Sequence, residues 1–265
     1  MNFDKEYTKY WTSAVCKSVD GTIIAGVKEA KHVLKYLQIK NASKTLDLGC
    51  SVGRMYEALA IYSDTVYGLD IDSYAVEKAR SHAYKDVRVG TAEEISFDVD
   101  FFDLVFCWAV FDVVDHKKGL AEINRVLKNG GKLLFSGKND NYFEDDVLAY
   151  KAEKNAFLKG FPNRFTDLKS VLECLPSFGF ELDALLLFPR RGDFGKLGFV
   201  DQGIEELESY HGYEYIMLCH KIGQHNSSNL ANVTLENQFS KTVKTAARKA
   251  GYEQAKDFFE SIGFD

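Results

Sequence analysis

No stretch of this chain approaches the roughly 20 apolar residues of a membrane-spanning helix, so a transmembrane segment is not expected. Nor does the chain open like a secretory leader: its start is polar and aromatic, with Tyr7, Tyr10 and Trp11 among charges. There is no long run of lysine and arginine, and the formal net charge is −6. A phosphate backbone calls for a basic face, so nucleic acid is not the expected substrate. The five cysteines, at positions 16, 50, 107, 174 and 219, are scattered without a Cys-x-x-Cys pair. That spacing gives no zinc signature, predicts no bound metal, and fits a reducing, cytoplasmic compartment. Internal repeats are absent as well. What is present is a 265-residue chain that is 46% hydrophobic, enough for one large α/β domain with a sizeable core.

The sequence is organised around Thr45-Leu46-Asp47-Leu48-Gly49-Cys50-Ser51-Val52-Gly53-Arg54. A short apolar run ends in acid, a turn of small residues follows, and a helical pattern begins with Met55, Leu59 and Ile61. Strand, glycine turn and helix is how an open parallel sheet presents a nucleotide-sized ligand at its carboxyl edge. The dinucleotide fingerprint Gly-x-Gly-x-x-Gly fails, since Ser51 and Arg54 stand where its second and third glycines belong. Gly49-Cys50-Ser51-Val52-Gly53 matches a nucleophile elbow literally, which would make Ser51 the nucleophile of a hydrolase. Against it, the turn follows the first convincing strand, and no His-Gly-Gly-Gly-type oxyanion segment lies upstream.

The third reading, Asp-x-Gly-x-Ser-x-Gly, resembles motif I of the class I methyltransferases that use S-adenosylmethionine, with Ser51 where that family has glycine. The next strand favours it. Thr65 to Asp72 is apolar and ends in acid, and Asp70 falls about twenty residues past the turn, where a carboxylate can accept two ribose hydroxyls. The other role open to Asp70 is to cap the helix that begins near Ser73. Further on, Asp100–Trp108 reads as a fourth strand buried on both faces, and Leu120–Leu127 as a helix stopped by Asn129-Gly130-Gly131. The block from Phe102 to Ser136 is similar to the second half of the same methyltransferase core, and the resemblance covers about residues 40–137.

The resemblance implies a doubly wound, mostly parallel seven-stranded sheet and S-adenosylmethionine as cofactor. It implies cofactor contacts from Asp47, Gly49, Ser51, Gly53, Asp70 and Ile71, from the corner at Ala92 and Glu93, and from Cys107. At that corner Thr91 stands where the family usually has aspartate. The N-terminal segment with Tyr7 and Trp11 reads as a lid over the site or as a loosely packed arm. A β-branched side chain at Gly49 is expected to intrude on cofactor space.

Residues 1–222 are expected to form the methyltransferase domain, with 1–40 as lid and first helix. The helix at 22–37 follows from Ile23, Val27, Ala30, Leu34 and Leu37 on one face. Two excursions, 139–162 and 189–212, are read as acceptor-side insertions, the first of them helical, and 223–265 as linker and C-terminal helix. That last helix could dock on the domain or on a second copy, as in a homodimer.

The cofactor supplies the reactive group in methyl transfer, so the protein must orient the acceptor and, for a hydroxyl, remove a proton. Asp112 and His116, just past the fourth strand, are the candidate bases, against helix capping or pairing for Asp112 and plain surface exposure for His116. Arg190 and Arg191, with Lys138 and Arg164 nearby, suit an anionic acceptor group, against a solvated pair balancing Asp193. The segments from Asn163 to Gly195 look like those of bacterial enzymes that methylate surface-polysaccharide precursors, which suggests O-methylation of a nucleotide-linked sugar or sugar phosphate. The different-class alternative is a methyltransferase-like domain that binds an adenosyl ligand without turnover.

Overall fold

The computed structural model describes residues 26–143, 145–158, 165–196, 200–201 and 211–224, with backbone alone at 154–158 and 200–201. The strands are β1 (Ala42–Leu48), β2 (Ser63–Asp70), β3 (Asp86–Val89), β4 (Phe102–Cys107), β5 (Leu127–Lys138), β6 (Phe180–Phe188), β7 (Val200–Asp201) and β8 (Glu214–Lys221). They form one sheet in the order β3-β2-β1-β4-β5-β8-β6-β7. The seven expected strands are all there, joined at one edge by the two-residue β7.

Neighbours from β3 through β5 pair in parallel. By contrast, β8 is antiparallel to both β5 and β6, so β6 runs in the same direction as β5. The loops after β1, β4, β5 and β6 therefore open on the same carboxyl edge. The chain reverses its winding between β1 and β4, which is where an open α/β sheet leaves a ligand crevice.

Helices cover both faces: α1 (Val27–Tyr36), α2 (Tyr56–Leu59), α3 (Ser73–Ala79), α4 (His116–Val126), α5 (Val147–Leu158), α6 (Leu168–Cys174) and α7 (Asp193–Lys196). Leu46, Val105, Phe135 and Met217 pack with Leu120, Ile123 and Val171 on one face. Leu104, Phe106, Leu134 and Ile216 pack with Ala30, Val33 and Leu34 on the other. Alternate residues of one strand are thus buried on opposite sides, which is why the strands read as continuous apolar runs. Among the described residues, no helix is long and apolar enough to cross a membrane.

Several boundaries differ from expectation. The first helix is described from Val27, and Ile23 lies outside the described residues. After the glycine turn the helix is only Tyr56–Leu59, and Ile61 is 61% exposed, off the core face. The helix before β5 is not stopped by Asn129-Gly130-Gly131. It ends at Val126, and Leu127 is already extended at φ −78, ψ 139. The glycines fall instead in an irregularity of β5, where the pairing with β4 shifts between Phe102 and Leu104. The regular ladder resumes at Lys132.

At the opposite, amino edge lies a lysine with no solvent exposure. Lys221, the last residue of β8, donates to Asp100 Oδ1 (2.8 Å), Asn124 O (2.9 Å) and Leu127 O (2.6 Å). Two of these acceptors are carbonyls at the end of α4, where free C=O groups and the negative end of the helix dipole collect. One ammonium thus joins β8 to the α4–β5 corner.

Candidate active site

The turn after β1 is tied to the end of β2 by backbone and side chain together. Gly49 N and Cys50 N both donate to Leu69 O, at 2.7 and 3.0 Å. Asp70 Oδ2 accepts from Ser51 N (2.8 Å) and its Oδ1 from Asp72 N (2.9 Å). The cap of α3 is Asp72, whose side chain accepts from Tyr74 N, so Asp70 is not the helix cap. A carboxylate offers about four lone-pair positions, so two stay open for ligand hydroxyls. Burial raises the pKa of Asp70, while the Asp72 and Ser51 amides and the Arg54 charge pull it down. Asp70→Ala should weaken S-adenosylhomocysteine binding by about 1.5–3 kcal/mol, the scale of hydrogen bonds to a charged group. Unchanged affinity by calorimetry would leave Asp70 as a brace for the turn and nothing more.

Gly49 and Gly53 sit at φ 78 and 85, and Ser51 at φ 50. The position where the motif departs from glycine thus keeps the left-handed backbone that favours glycine. Ser51→Gly should change stability by no more than about 1 kcal/mol, because relief of strain offsets the added chain entropy. Adenosyl-ligand affinity and turnover should be retained. A dead Ser51→Gly variant that still binds the ligand would mean the hydroxyl does chemistry.

The expected clash at Gly49 is real but its partner differs. A Cβ there would lie 2.2 Å from Val110 Cγ2, so the loop after β4, rather than the cofactor, fills that space. Asp47 is only 2% exposed. Its Oδ2 accepts the Tyr84 hydroxyl at 2.6 Å, and burial pushes its pKa up to about 7. It therefore supports the turn through Tyr84 and the nearby Arg54 charge.

Ile71 is half-buried beside Asp70. On the next corner Ala92 is buried, and Glu93 Oε1 accepts from Asp115 N (2.7 Å), tying the corner to the start of α4. The Cys107 thiol is 1% exposed at the end of β4, and burial pushes its pKa up. Tyr7, Trp11 and Arg164 lie outside the described residues.

Past β4, Ala109 holds φ 56 and donates its N–H to Ser136 Oγ (2.8 Å). Asp112 lies in the 3-10 turn Phe111–Val113, 5% exposed, and pairs with the Lys138 ammonium. One expected base and one expected substrate contact are thus brought together on each other. His116 is not the surface residue it was weighed as. It begins α4, is fully buried, stacks on Phe111 at 4.3 Å and shares a 2.8 Å hydrogen bond between Nε2 and Phe111 O. Its heptad-like spacing to Leu120 and Ile123 was the available signal, since the three share one helix face.

The arginines separate. Arg190 grips Asp145 with both terminal nitrogens, at 2.8 and 3.0 Å, on the surface. Its backbone N–H, not its guanidinium, meets Asp193 (2.9 Å). Arg191 turns toward the sheet edge: its guanidinium lies 6.0 Å from the Tyr213 ring, and its N–H donates to Asp146 Oδ2. Sequence reasoning missed Tyr84, Arg54 and Glu214. Arg54 closes the motif, whereas Tyr84 stands 37 residues from the Asp47 it binds and carried no sequence signal. Glu214 is an acid placed directly before the apolar run Tyr215–Cys219, and that was the signal for it.

The S-adenosylmethionine-dependent reading meets independent support in known proteins. The family model described as a methyltransferase domain matches residues 46–135. A ubiquinone/menaquinone biosynthesis C-methyltransferase of Citrifermentans bemidjiense is 31% identical over 192 residues, 64% of this chain and 76% of that one. The chain belongs to the S-adenosylmethionine-dependent methyltransferases. A ubiquinone biosynthesis O-methyltransferase of Coxiella burnetii is 30% identical to this methyltransferase over 118 residues, 41% of this chain and 50% of that one. The chain spans about half to two thirds of the length of the first curated relatives it matches, 64, 53 and 50%. Among solved structures, an S-adenosylmethionine-dependent methyltransferase from Mesorhizobium loti superposes with TM-score 0.55 at 18% identity, covering 72% of this chain and 98% of that one. None of these relatives is named for polysaccharide synthesis. The methyltransferase's own residues fit the cofactor: a turn in left-handed conformation at the switch point, and Asp70 beside it with acceptor positions open. Among the described residues, no cluster of three or more His, Cys, Asp or Glu could hold a metal ion.

Proposed function

We propose that this protein methylates a hydroxyl of a small acceptor. The acceptor would bind where the turn after β4, the ends of β5 and β6 and the start of β8 meet. One observation carries this reading. The glycine turn and a mixed-charge group of Asp112, Lys138, Arg191 and Glu214 share the carboxyl edge, linked by Val110, which touches Gly49. When bound, S-adenosylmethionine supplies a methyl group on a positively charged sulfur. Asp70 and the Gly49–Gly53 turn would hold its adenosyl part. The acceptor-side residues would orient the hydroxyl, keep water out and accept its proton.

An anionic acceptor, such as a nucleotide-linked sugar or sugar phosphate, depended on a pair of free arginines. Arg190 is held by Asp145, and Lys138 is balanced by Asp112. That supports a neutral, hydroxyl-bearing acceptor over an anionic one. Relatives named for ubiquinone biosynthesis make hydroxylated aromatics the first class to test. The nucleotide-sugar reading keeps Arg191 in its favour.

The test is transfer of tritiated methyl from S-adenosylmethionine to a panel of hydroxylated aromatics, nucleotide-linked sugars and sugar phosphates. Label in an aromatic product is the expected result. Label in a sugar would restore the anionic reading. Tight cofactor binding with no transfer to any of them would favour a domain that binds without turnover.

A further inference from the structure

Resting on methyl transfer to a hydroxyl, we propose that Glu214 is the residue that takes the acceptor's proton, in place of Asp112 or His116. A base must stand free to receive a proton at the carboxyl edge. Asp112 is engaged by the Lys138 ammonium, and His116 is enclosed between Phe111 and its own helix. Glu214 is the first residue of β8 and lies opposite both Lys138 of β5 and Phe188 of β6. Directly opposed residues of antiparallel strands put their side chains on one face, about 5 Å apart at Cβ. The carboxyl group therefore sits between the ends of two strands whose loops build the acceptor side, and it is half-buried rather than sealed.

The charges that face it come from every element around it. Lys138 stands on β5, Asp112 on the turn after β4, and Arg191 on the loop after β6, while Tyr213 directly precedes it, just ahead of the strand. Asp146, at the start of α5, fixes the Arg191 backbone. Burial opposes the charge of Lys138, but Asp112, Tyr213 and Glu214 together keep its pKa above the usual lysine value. With Asp112 already paired to that ammonium, Glu214 is a second carboxyl group beside one lysine. Burial pushes it up to about 7, with Lys138 and Arg191 pulling down and Asp112 pushing up. A base whose pKa lies near the working pH combines availability with proton affinity. Its neighbourhood also reaches the cofactor turn, because Asp112 is two residues from Val110, which packs on Gly49.

In the step itself the acceptor O–H bond breaks and its proton moves to a Glu214 carboxylate oxygen. The acceptor oxygen forms the new bond to the methyl carbon. The methyl–sulfur bond breaks with its electron pair left on sulfur, which becomes a neutral thioether. Glu214 must be ionised to act, so kcat/KM should rise with pH through about 7 and level off above it.

Two measurements on the full chain decide it. The first is a carboxyl ¹³C titration without substrate, in which Glu214→Gln identifies the signal. That signal should titrate near neutrality, well above the other glutamates. The second is tritiated methyl transfer across the acceptor panel for wild type, Glu214→Gln and Glu214→Asp. Glu214→Gln should lose roughly 10²–10⁴-fold in kcat with S-adenosylhomocysteine affinity unchanged, and Glu214→Asp should retain part of the rate and the rising pH limb. A signal that titrates with the ordinary glutamates overturns the proposal. So does near wild-type transfer by Glu214→Gln. A wild type that transfers to nothing overturns the enzymatic reading, and the proton-accepting role with it. That failure is recognised by the inactivity of the wild type itself.

Discussion

Lys221→Met should lower the free energy of unfolding by about 3 kcal/mol, read as a fall in the urea midpoint at constant slope. Methionine keeps an unbranched stem of similar length, so the loss isolates the ammonium. That ammonium serves three acceptors, and two of them are main-chain carbonyls, Asn124 O and Leu127 O, bonded from a side chain with no exposure. A buried acceptor stripped of its donor costs about 1–3 kcal/mol. The third partner, Asp100, is 47% exposed and can return to water, which keeps the total below the upper range for a broken buried pair. Lys221→Ala should cost more, since the stem is lost too. Adenosyl-ligand affinity, governed at the opposite edge of the sheet, should survive in the folded fraction. A Lys221→Met protein as stable as wild type would show that these carbonyls find water or other donors.

Gly49→Val should disable the site outright, with adenosyl-ligand affinity down at least ~100-fold and stability down by about 3 kcal/mol or more. Two effects add. A β-branched residue is strained at φ 78, by about 1–2 kcal/mol for the left-handed backbone alone. Its Cβ would also stand 2.2 Å from Val110 Cγ2, so one of the two loops must yield. Moving Val110 disturbs the stretch that leads to Asp112, so cofactor and acceptor sides fail together. The pair Gly49→Ala and Val110→Gly separates the effects, because it removes the clash and leaves the strain. Calorimetry and thermal unfolding of Gly49→Val and of this double variant measure the shares. Normal ligand affinity in Gly49→Val would mean that the cofactor does not seat on this turn.

The core of the fold was legible because its elements are governed by local pattern. Runs such as Leu104–Cys107 and Leu185–Phe188 can bury both faces only inside a covered sheet. The cofactor half was legible for a similar reason: Asp70 and the Gly49–Gly53 turn are fixed by short spacings along the chain. The acceptor half was not. Asp112 meets Lys138 from 26 residues away, Arg190 meets Asp145 from 45, and no periodicity encodes such pairs. His116 was misplaced because Asp115, whose side chain accepts from Lys118 N, caps α4 so that the helix begins at His116, four residues before Leu120, and the histidine turns inward. The glycine pair at Gly130-Gly131 suggested a helix stop by composition, yet Leu127 had already turned to strand.

The position of β8 also sets an order of events during synthesis. This strand is the last of the sheet to leave the ribosome, yet it belongs between two strands made before it. Roughly 75 residues separate the paired Lys138 and Glu214, so at ordinary elongation rates the edge of β5 waits about 4–15 s for its partner. Through that interval Leu133, Leu134 and Phe135 line an open strand edge, the kind of surface that templates pairing with other chains. The nascent protein is therefore most exposed to aggregation until β8 is made, and a chain cut short ahead of Glu214 would carry two unmated edges, on β5 and on β6, in place of a closed seam.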